Sequence, residues 1–230
     1  MADSSMGHKA LSASLAAGIA ALGLHLDESQ QQQLMRYMDM IQKWNKVYNL
    51  TALRDPQEML THHLLDSLSA MGPLMRHLQG VPSYDELGCS LLDVGSGGGL
   101  PGVVIAICCP KVRVTCVDAV SKKAAFVQQV AASLKLPNLK GVHARVETLT
   151  GPFDVVCSRA FASLPDFVTW SAEALTDASV WMAMKGKLPT EEIENLPSFA
   201  NVFHVEPLLV PGLDAERCMV WMKKSPSSSA

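Results

Sequence analysis

The chain has 230 residues, of which 48% are hydrophobic and 18% are charged, a balance typical of a globular protein of one or two domains. The formal net charge of -3 excludes a protein that coats nucleic acid through overall positive charge, although a local basic face could still bind it. No uninterrupted apolar run reaches the roughly 18 residues of a membrane span, so we expect a cytoplasmic protein without a membrane partner.

Cysteine usage agrees with a reducing compartment. The six cysteines form no C-x-x-C pair, and no Cys/His grouping has the spacing of zinc ligands, so no metal site is predicted. Most of them lie within apolar runs, which indicates buried, reduced thiols. They are Cys89, Cys108, Cys109, Cys116, Cys157 and Cys218.

The first third of the chain has the apolar spacing of helices. Asp27, with Gln30 three residues later, predicts a capped helix start, and Asp55 with Glu58 predicts a second one. Residues 1–85 are therefore expected to form a small helical region that packs on the rest of the protein.

From Ser90 onward, short apolar runs alternate with helical segments. This alternation predicts a Rossmann-like α/β domain over residues 86–224, with a mostly parallel seven-stranded sheet. The candidate strands are 90–94, 113–118, 139–144, 153–158, 179–184, 201–205 and 217–223, and the candidate helices are 100–109, 121–135, 165–175 and 190–195. The polar ends, Met1–Lys9 and residues 225–230, are expected to be disordered.

A glycine-rich stretch, "LLDVGSGGGLPG" (residues 91–102), follows the first predicted strand and precedes a helix. It lacks the Lys-Ser/Thr of a phosphate-binding P-loop, and Leu100 stands where a dinucleotide fingerprint would have its third glycine. A dinucleotide is therefore possible but not favoured. The spacing from Asp93 fits the acidic-x-Gly-x-Gly-x-Gly loop that binds S-adenosylmethionine. The cofactor candidates in this loop are Gly95, Ser96, Gly97, Gly99 and Leu100.

Further cofactor candidates follow the next predicted strands. Asp118 ends the second strand, 21 positions after Gly97, where a carboxylate can accept hydrogen bonds from ribose hydroxyls. Val146 and Glu147 follow the third strand, where an adenine ring would lie. Arg159 ends the fourth strand and would face the ligand, although a surface salt bridge explains an arginine there equally well.

Several stretches resemble the bacterial 16S rRNA (guanine-N7) methyltransferase family, known as RsmG or GidB. They are "KWNKVYNLTALRDPQEMLTHHLLDSL", the glycine-rich stretch, "FDVVCSRAFASL" and "MKG", and the resemblance covers roughly residues 15–223. The first is the most specific, because methyltransferases in general lack it. Gly98 and Cys157 depart slightly from the usual pattern of the family.

The resemblance implies a Rossmann-like enzyme that methylates N7 of guanine 527 in 16S rRNA, in the small ribosomal subunit or a precursor. It implies S-adenosyl-L-methionine as the cofactor, contacted by Gly95, Leu100, Val146, Glu147 and Arg159. Guanine N7 carries a lone pair, so no general base is needed, and catalysis is expected to rest on proximity and orientation. Arg159, the one possible catalytic residue, could contact the guanine or the methionine carboxylate.

Basic residues near the expected active edge are candidates for RNA binding. No acidic residue lies between Asp118 and Glu147, whereas this interval carries five basic residues. A second basic cluster stands near the end of the first predicted capped helix. The RNA-binding candidates are Lys122, Lys123, Arg145, Lys46 and Arg54, with a solvated helix surface as the ordinary alternative.

Two other functions remain open from the residues. A nicotinamide-dependent oxidoreductase would require a glycine in place of Leu100 and an identifiable hydride-site residue, and neither is evident. A ribosome- or RNA-binding module could keep the fold and the cofactor site without turnover, although the intact loop with Asp118 and Arg159 argues against it. We expect a monomer.

Overall fold

Seven strands form one sheet in the computed structural model, which describes residues 2–81 and 84–226. The strands are β1 (Cys89–Val94), β2 (Val112–Asp118), β3 (Leu139–His143), β4 (Phe153–Arg159), β5 (Leu175–Lys185), β6 (Ala200–Pro207) and β7 (Cys218–Lys224). Their order is β3-β2-β1-β4-β5-β7-β6, and all strands run in one direction except β7, which is antiparallel to β5 and β6. The carboxyl ends of β1 to β4 therefore meet at one edge.

The N-terminal part of the chain begins with two long helices, α1 (Ala2–Ala21) and α2 (Glu28–Tyr48). The Asp27 side chain accepts a hydrogen bond from the Gln30 backbone N–H, and the Gln30 side chain accepts one from the Asp27 backbone, which confirms the predicted cap. The prediction of disorder over Met1–Lys9 is wrong for Ala2–Lys9, which are helical. The rest of α1, up to Ala21, is rich in Ala and Leu, which have high helix propensity, and Ala2–Lys9 continue this helix at its start.

A second helical run follows, and its middle is wound as a π-helix. It comprises α3 (Pro56–Met59), the π-helical segment Leu60–Leu65, α4 (Asp66–Ser69), α5 (Met71–Gln79) and, after a break, α6 (Tyr84–Leu87). The Asp55 side chain accepts hydrogen bonds from the backbone of Gln57 and Glu58, as the sequence predicts. π-Helical turns within helices are frequent at functional sites.

The remaining helices cover the two faces of the sheet. They are α7 (Gly102–Cys108), α8 (Ser121–Leu134), α9 (Leu164–Ser171) and α10 (Thr190–Glu194). Successive strand residues point to opposite faces, so Leu91 packs in the core layer with α7 and α8, whereas Leu92 packs in the layer with α9. Helix α2 packs outside α7 and α8 and shares their hydrophobic core.

The predicted α/β class and the seven-stranded, mostly parallel sheet are confirmed, and each strand begins and ends within a few residues of its predicted bounds. The division of the chain at residue 85 stays a prediction. Of the predicted tail, 227–230 lie outside the described residues. No helix in the described part of the chain is long and apolar enough to cross a membrane.

Gly141 in β3 offers a test of how closely α8 packs on the sheet. A Cβ there would lie 2.6 Å from the Ala124 carbonyl oxygen of α8, and a backbone atom cannot rotate away. We expect Gly141→Ala to lower the free energy of unfolding by about 1–3 kcal/mol in urea titrations.

The matched control is Gly7→Ala, because a Cβ at Gly7 in α1 meets nothing within 4 Å. Alanine favours the helix over glycine, so this variant should be unchanged or more stable by up to about 1 kcal/mol. Equal stability of the wild type and Gly141→Ala would contradict the close packing of α8 on β3.

Candidate functional site

A cleft of about 480 Å³ opens where β1, β2 and β3 end. Such a crevice at the carboxyl ends of parallel strands is the usual ligand position in α/β sheets. Gly95 lines it, with φ of 63°, and Gly97 follows with φ of 58°. These left-handed conformations favour glycine, and they turn the chain sharply away from β1.

Asp118 is held rigidly at the rim of this cleft. Its Oδ2 accepts a hydrogen bond from the Gly97 N–H at 3.0 Å, and its Oδ1 accepts one from the Val120 N–H at 2.8 Å. The Lys123 ammonium lies 3.6 Å from Oδ2. The carboxylate thus links the glycine loop to the start of α8, and it lines the cleft with only 7% of the residue exposed.

The far wall of the cleft is formed by the segment that follows β3. Val146 and Glu147 begin a short 3-10 turn, and both line the cleft, as Ala144 does. Val146 is 5% exposed and packs in the α9-side core layer, whereas Glu147 is exposed. With Val117 of β2, this wall presents apolar surface to a flat ligand.

Three of the predicted loop residues, Ser96, Gly99 and Leu100, face the protein interior instead of the cleft. The Ser96 carbonyl accepts hydrogen bonds from the N–H groups of Gly99 and Leu100, which closes a tight turn. A Cβ on Gly99 would lie 2.4 Å from the Val103 side chain, and Leu100 is buried in the core. Their positions suit residues that shape the loop.

Tyr37 of α2 holds the outer side of the same loop. Its hydroxyl donates a 2.6 Å hydrogen bond to the Gly98 carbonyl, and its ring is fully buried beside Phe126. Burial raises the pKa of Tyr37 well above its ordinary value, so the hydroxyl keeps its proton. The N-terminal helices therefore contribute directly to the shape of the glycine loop.

Asp93 lies under the loop, fully buried at the end of β1. Its Oδ2 accepts a hydrogen bond from the Gly102 N–H at 2.8 Å, whereas no N–H or O–H donor of the described residues reaches Oδ1. Burial raises the pKa of this carboxyl to about 7, against the lowering effect of the Gly102 N–H and of Arg159. The group is thus poised between its two protonation states near neutral pH.

Arg159 does not line the cleft but joins β4 to the N-terminal helices. Its Nη1 donates to the His62 carbonyl at 2.8 Å and to Asp66 Oδ2 at 2.7 Å. The other oxygen of Asp66 accepts a hydrogen bond from Arg217 Nε at 3.0 Å. One buried carboxylate therefore binds two arginines, which come from β4 and from the loop before β7.

The turn after Arg159 is strained, since Ala160 has φ of 51°. This turn brings the Phe161 ring against Gly95, where a Cβ would lie 2.0 Å from the ring. Phe161 packs edge-to-face with Trp170, and both rings line the cleft. Around this strained turn, the Arg159 side chain therefore points toward Asp66, and the Phe161 ring lies over the glycine loop.

Two buried side chains of types that can act as a nucleophile or a base, Cys157 and His63, do not change protonation state near neutral pH. Cys157 is fully buried, and burial raises the pKa of its thiol well above the ordinary value. His63 is buried and bonded to Thr51 Oγ1 through Nε2 at 2.9 Å. Burial and the charge of Arg159 lower the pKa of His63 to about 4. Neither residue is placed to exchange protons with a substrate.

The basic candidates fall into two groups. Lys123 and Arg145 line the cleft, and Lys122 lies beside Lys123 at the exposed start of α8. Lys46 and Arg54 form a separate group at the end of α2, where Arg54 donates to the Asn45 carbonyl and the Asn49 side chain. The structure does not bring this second group into the cleft.

Reasoning from the sequence missed Tyr37, Asp66, Phe161, Trp170 and Arg217. The bonds of Asp66 span 93 and 151 positions, and that of Tyr37 spans 61, so no local spacing signals them. The only available signals were an acidic residue within an apolar helical stripe and aromatic residues just after a strand end.

Comparison with known proteins identifies the family of this chain. The family model described as GidB, rRNA small subunit methyltransferase G, matches residues 30–220. A protein of Paracidovorax citrulli named "Ribosomal RNA small subunit methyltransferase G" is 63% identical over 226 residues, covering 96% of this chain and 93% of its own. A Polaromonas protein of the same name is 66% identical over 209 residues, covering 91% and 92%.

Solved structures support the fold. TrmN from Thermus thermophilus superposes with a TM-score of 0.53 at 16% identity, covering 72% of this chain and 53% of its own. A SAM-dependent methyltransferase from Aquifex aeolicus gives 0.52 at 16% identity, covering 76% and 97%. With the family model matching most of the chain and relatives above 60% identity, the chain belongs to the rRNA small subunit methyltransferase G family.

Proposed function

We propose that this protein transfers the methyl group of S-adenosyl-L-methionine to N7 of guanine 527 in 16S rRNA. The observation that carries the proposal is the cleft at the carboxyl edge, with Asp118 bonded to the glycine loop, in a chain that belongs to this methyltransferase family. S-adenosyl-L-methionine supplies an electrophilic methyl group, and the protein's own residues bind and orient the two reactants.

The lining of the cleft fits the parts of this cofactor. Asp118 can accept hydrogen bonds from the two ribose hydroxyls, because each carboxylate oxygen has a second lone pair beside the one used by the backbone. A Cβ at Gly97 would meet nothing within 4 Å, so the loop leaves open space for a ligand. Val146, with Val117 and Ala144, offers an apolar surface to adenine, and Glu147 can accept hydrogen bonds at its rim.

Arg159 is assigned to the methionine end of the cofactor. Its contacts with Asp66 and the His62 carbonyl use Nη1, and the guanidinium has further N–H groups that can bind a carboxylate. The buried Asp93 carboxyl lies beneath the glycine loop, where it accepts a hydrogen bond from the Gly102 N–H, and it is assigned to holding the loop in place. Gly95, Ser96, Gly97, Gly99 and Leu100 are assigned to the loop that shapes this end.

The reaction requires no proton transfer by the protein. Guanine N7 attacks through its lone pair, so the low pKa of His63 and the raised pKa of the Cys157 thiol are no obstacle. Holding the two reactants aligned can contribute about 7–11 kcal/mol to lowering the barrier. The two aromatic rings at the cleft, Phe161 and Trp170, can exclude water from the reacting atoms.

The basic candidates are assigned to the RNA backbone. Lys123 and Arg145 lie on the rim of the cleft with Lys122 beside them, where phosphates flanking the target would pass. Lys46 and Arg54 form a second contact at the end of α2. We further propose that the substrate is the small ribosomal subunit or a precursor, and that the enzyme acts in the cytoplasm as a monomer.

The two other functions find less support. Leu100 is buried in the core instead of opening the loop to a pyrophosphate, which disfavours a nicotinamide-dependent oxidoreductase. The intact glycine loop, with Asp118 bonded to it, argues against a module that has lost turnover. A measurement of methyl transfer distinguishes an enzyme from such a module.

Asp118→Ala should weaken cofactor binding about tenfold or more, because hydrogen bonds to a charged group contribute about 1.5–3 kcal/mol. The measurement is isothermal titration calorimetry with S-adenosyl-L-methionine. Asp177→Ala, an exposed aspartate near the opposite end of the sheet, is the matched control and should bind as the wild type does. An affinity of Asp118→Ala equal to that of the wild type would show that Asp118 does not bind the ribose hydroxyls.

Arg159→Lys should also weaken binding of S-adenosyl-L-methionine, by about tenfold, while the protein stays folded. Lysine keeps the charge near Asp66 but lacks the planar fork that can bind two carboxylates at once. Circular dichroism checks the fold, and the same titration measures the affinity. An unchanged affinity would show that Arg159 only joins β4 to the N-terminal helices.

Small ribosomal subunits that lack the modification should accept labelled methyl from the cofactor, and the label should map to N7 of guanine 527. Naked 16S rRNA is the second substrate, since it tests whether the assembled subunit is required. Labelling of another nucleotide would correct the target. Absence of transfer to both substrates by protein that binds the cofactor would overturn the proposed activity.

A further inference from the structure

A second cavity, of about 690 Å³, lies at the same edge of the sheet as the cofactor cleft. Strand β5 runs parallel to β4, so its end at Lys185 stands at the carboxyl edge. Lys185 lies opposite Cys218 at the start of β7, and Cys218 lies opposite Pro207 at the end of β6. The segments 186–188 and 207–218, which line the cavity, therefore lie at the carboxyl edge of the sheet, as the cofactor cleft does.

The Asp66 carboxylate connects the two cavities. One of its oxygens binds Arg159, whose chain neighbours Ala160 and Phe161 line the cofactor cleft. The other oxygen binds Arg217, which lines the second cavity. This ion cluster therefore joins the end of β4, which the cofactor cleft adjoins through Ala160 and Phe161, to the lining of the second cavity.

The second cavity has an apolar interior with two exposed leucines on its walls. Val205, Leu208 and Leu213 line it, and Leu188 and Leu209 keep 54% and 78% of their surface exposed. Exposed large apolar side chains beside a cavity indicate a binding surface rather than packing. A planar base that is flipped out of its stack is an apolar surface of the right kind to cover them.

The charged groups of this cavity suit guanine. Asp214 and Glu216 are exposed carboxylates at its lining, and Lys187 supplies a positive charge. Guanine carries the N1–H and N2–H₂ donors on its Watson–Crick edge, whereas adenine has an acceptor at N1. N7 lies on the opposite side of the purine, so a base held by its Watson–Crick edge presents N7 away from these carboxylates.

We propose that the second cavity binds the flipped-out target guanosine, and that Asp214 and Glu216 accept hydrogen bonds from its N1–H and N2–H₂ groups. Leu188 and Leu209 contact the faces of the base, and N7 points toward the Asp66 ion cluster and the cofactor cleft. This inference rests on the proposed function, because it assigns the nucleoside on which that function acts.

The first test uses the double variant Asp214→Asn/Glu216→Gln in methyl transfer to small ribosomal subunits that lack the modification. We expect kcat/KM for the RNA to fall at least tenfold, as for loss of a bidentate base contact, with no change in the Kd of S-adenosyl-L-methionine. The matched control, Glu173→Gln/Asp177→Asn, removes two exposed charges at the opposite edge and should behave as the wild type does.

A second measurement distinguishes base recognition from a general effect of charge. The target guanosine of 16S rRNA is replaced by inosine, which keeps N7 and N1–H but lacks the 2-amino group. The wild type should favour guanosine over inosine about tenfold in kcat/KM, and the double variant should lose most of this preference. Leu209→Ala should raise the KM for RNA and leave the Kd of the cofactor unchanged.

Three results would overturn the inference. Wild-type kcat/KM in the double variant would show that the carboxylates do not contact the substrate. An undiminished preference for guanosine over inosine in that variant would place base recognition elsewhere. Absence of transfer by the wild type would overturn the proposed function together with this inference, whereas the first two results leave the proposed function intact.

Discussion

Parallel pairing of β1 with β2 on one side and β4 on the other is the constraint on which the site depends. Val94 stands opposite both Val117 and Ser158, so the glycine loop, Asp118 and Arg159 leave the sheet side by side. The Gly97 N–H therefore donates a 3.0 Å hydrogen bond to Asp118, although the two residues are 21 positions apart in the sequence. Without this register, the loop would be a flexible turn with no partner across the cleft.

The N-terminal helices complete this edge from outside the sheet. Tyr37 donates a hydrogen bond to the glycine loop, and the π-helical segment presents the His62 carbonyl to Arg159. Asp66 follows directly and binds two arginines from distant parts of the chain. Removal of Asp66 would leave both arginines without their buried counter-charge, whereas removal of one arginine leaves Asp66 paired with the other. The helical region is thus part of the site and shares one core with it.

The proposed division of roles between the two cavities is consistent with the topology. The cofactor cleft lies beyond β1, β2 and β3, where the strands are all parallel and the loops are short. The second cavity lies beyond β5, β6 and β7, where reversal of β7 places a strand start beside two strand ends. This reversal brings a longer loop to the reactive edge, and a longer loop can carry residues that choose a substrate.

Much of the fold was predictable because its signals are local. Alternating apolar runs marked the strands, and the capping residues Asp27 and Asp55 marked two helix starts. The helical state of Ala2–Lys9 was missed, since polar and small residues near a terminus resemble a disordered tail. Among the candidate residues, Gly95, Asp118, Val146 and Glu147 lie at the cleft, because strand ends determine position in a parallel sheet, whereas Arg159 binds Asp66 instead.

The sequence by itself determined the class of fold, the glycine loop and the carboxylate that faces it, because each depends on spacing within one or two neighbouring elements. Only the tertiary structure decided that Arg159 binds Asp66, that Tyr37 holds the loop, and that Arg217 stands beside the cofactor edge. These contacts join residues 61 to 151 positions apart. They exist because helices and loops from both ends of the chain pack on one edge of the sheet, and no local pattern records that packing.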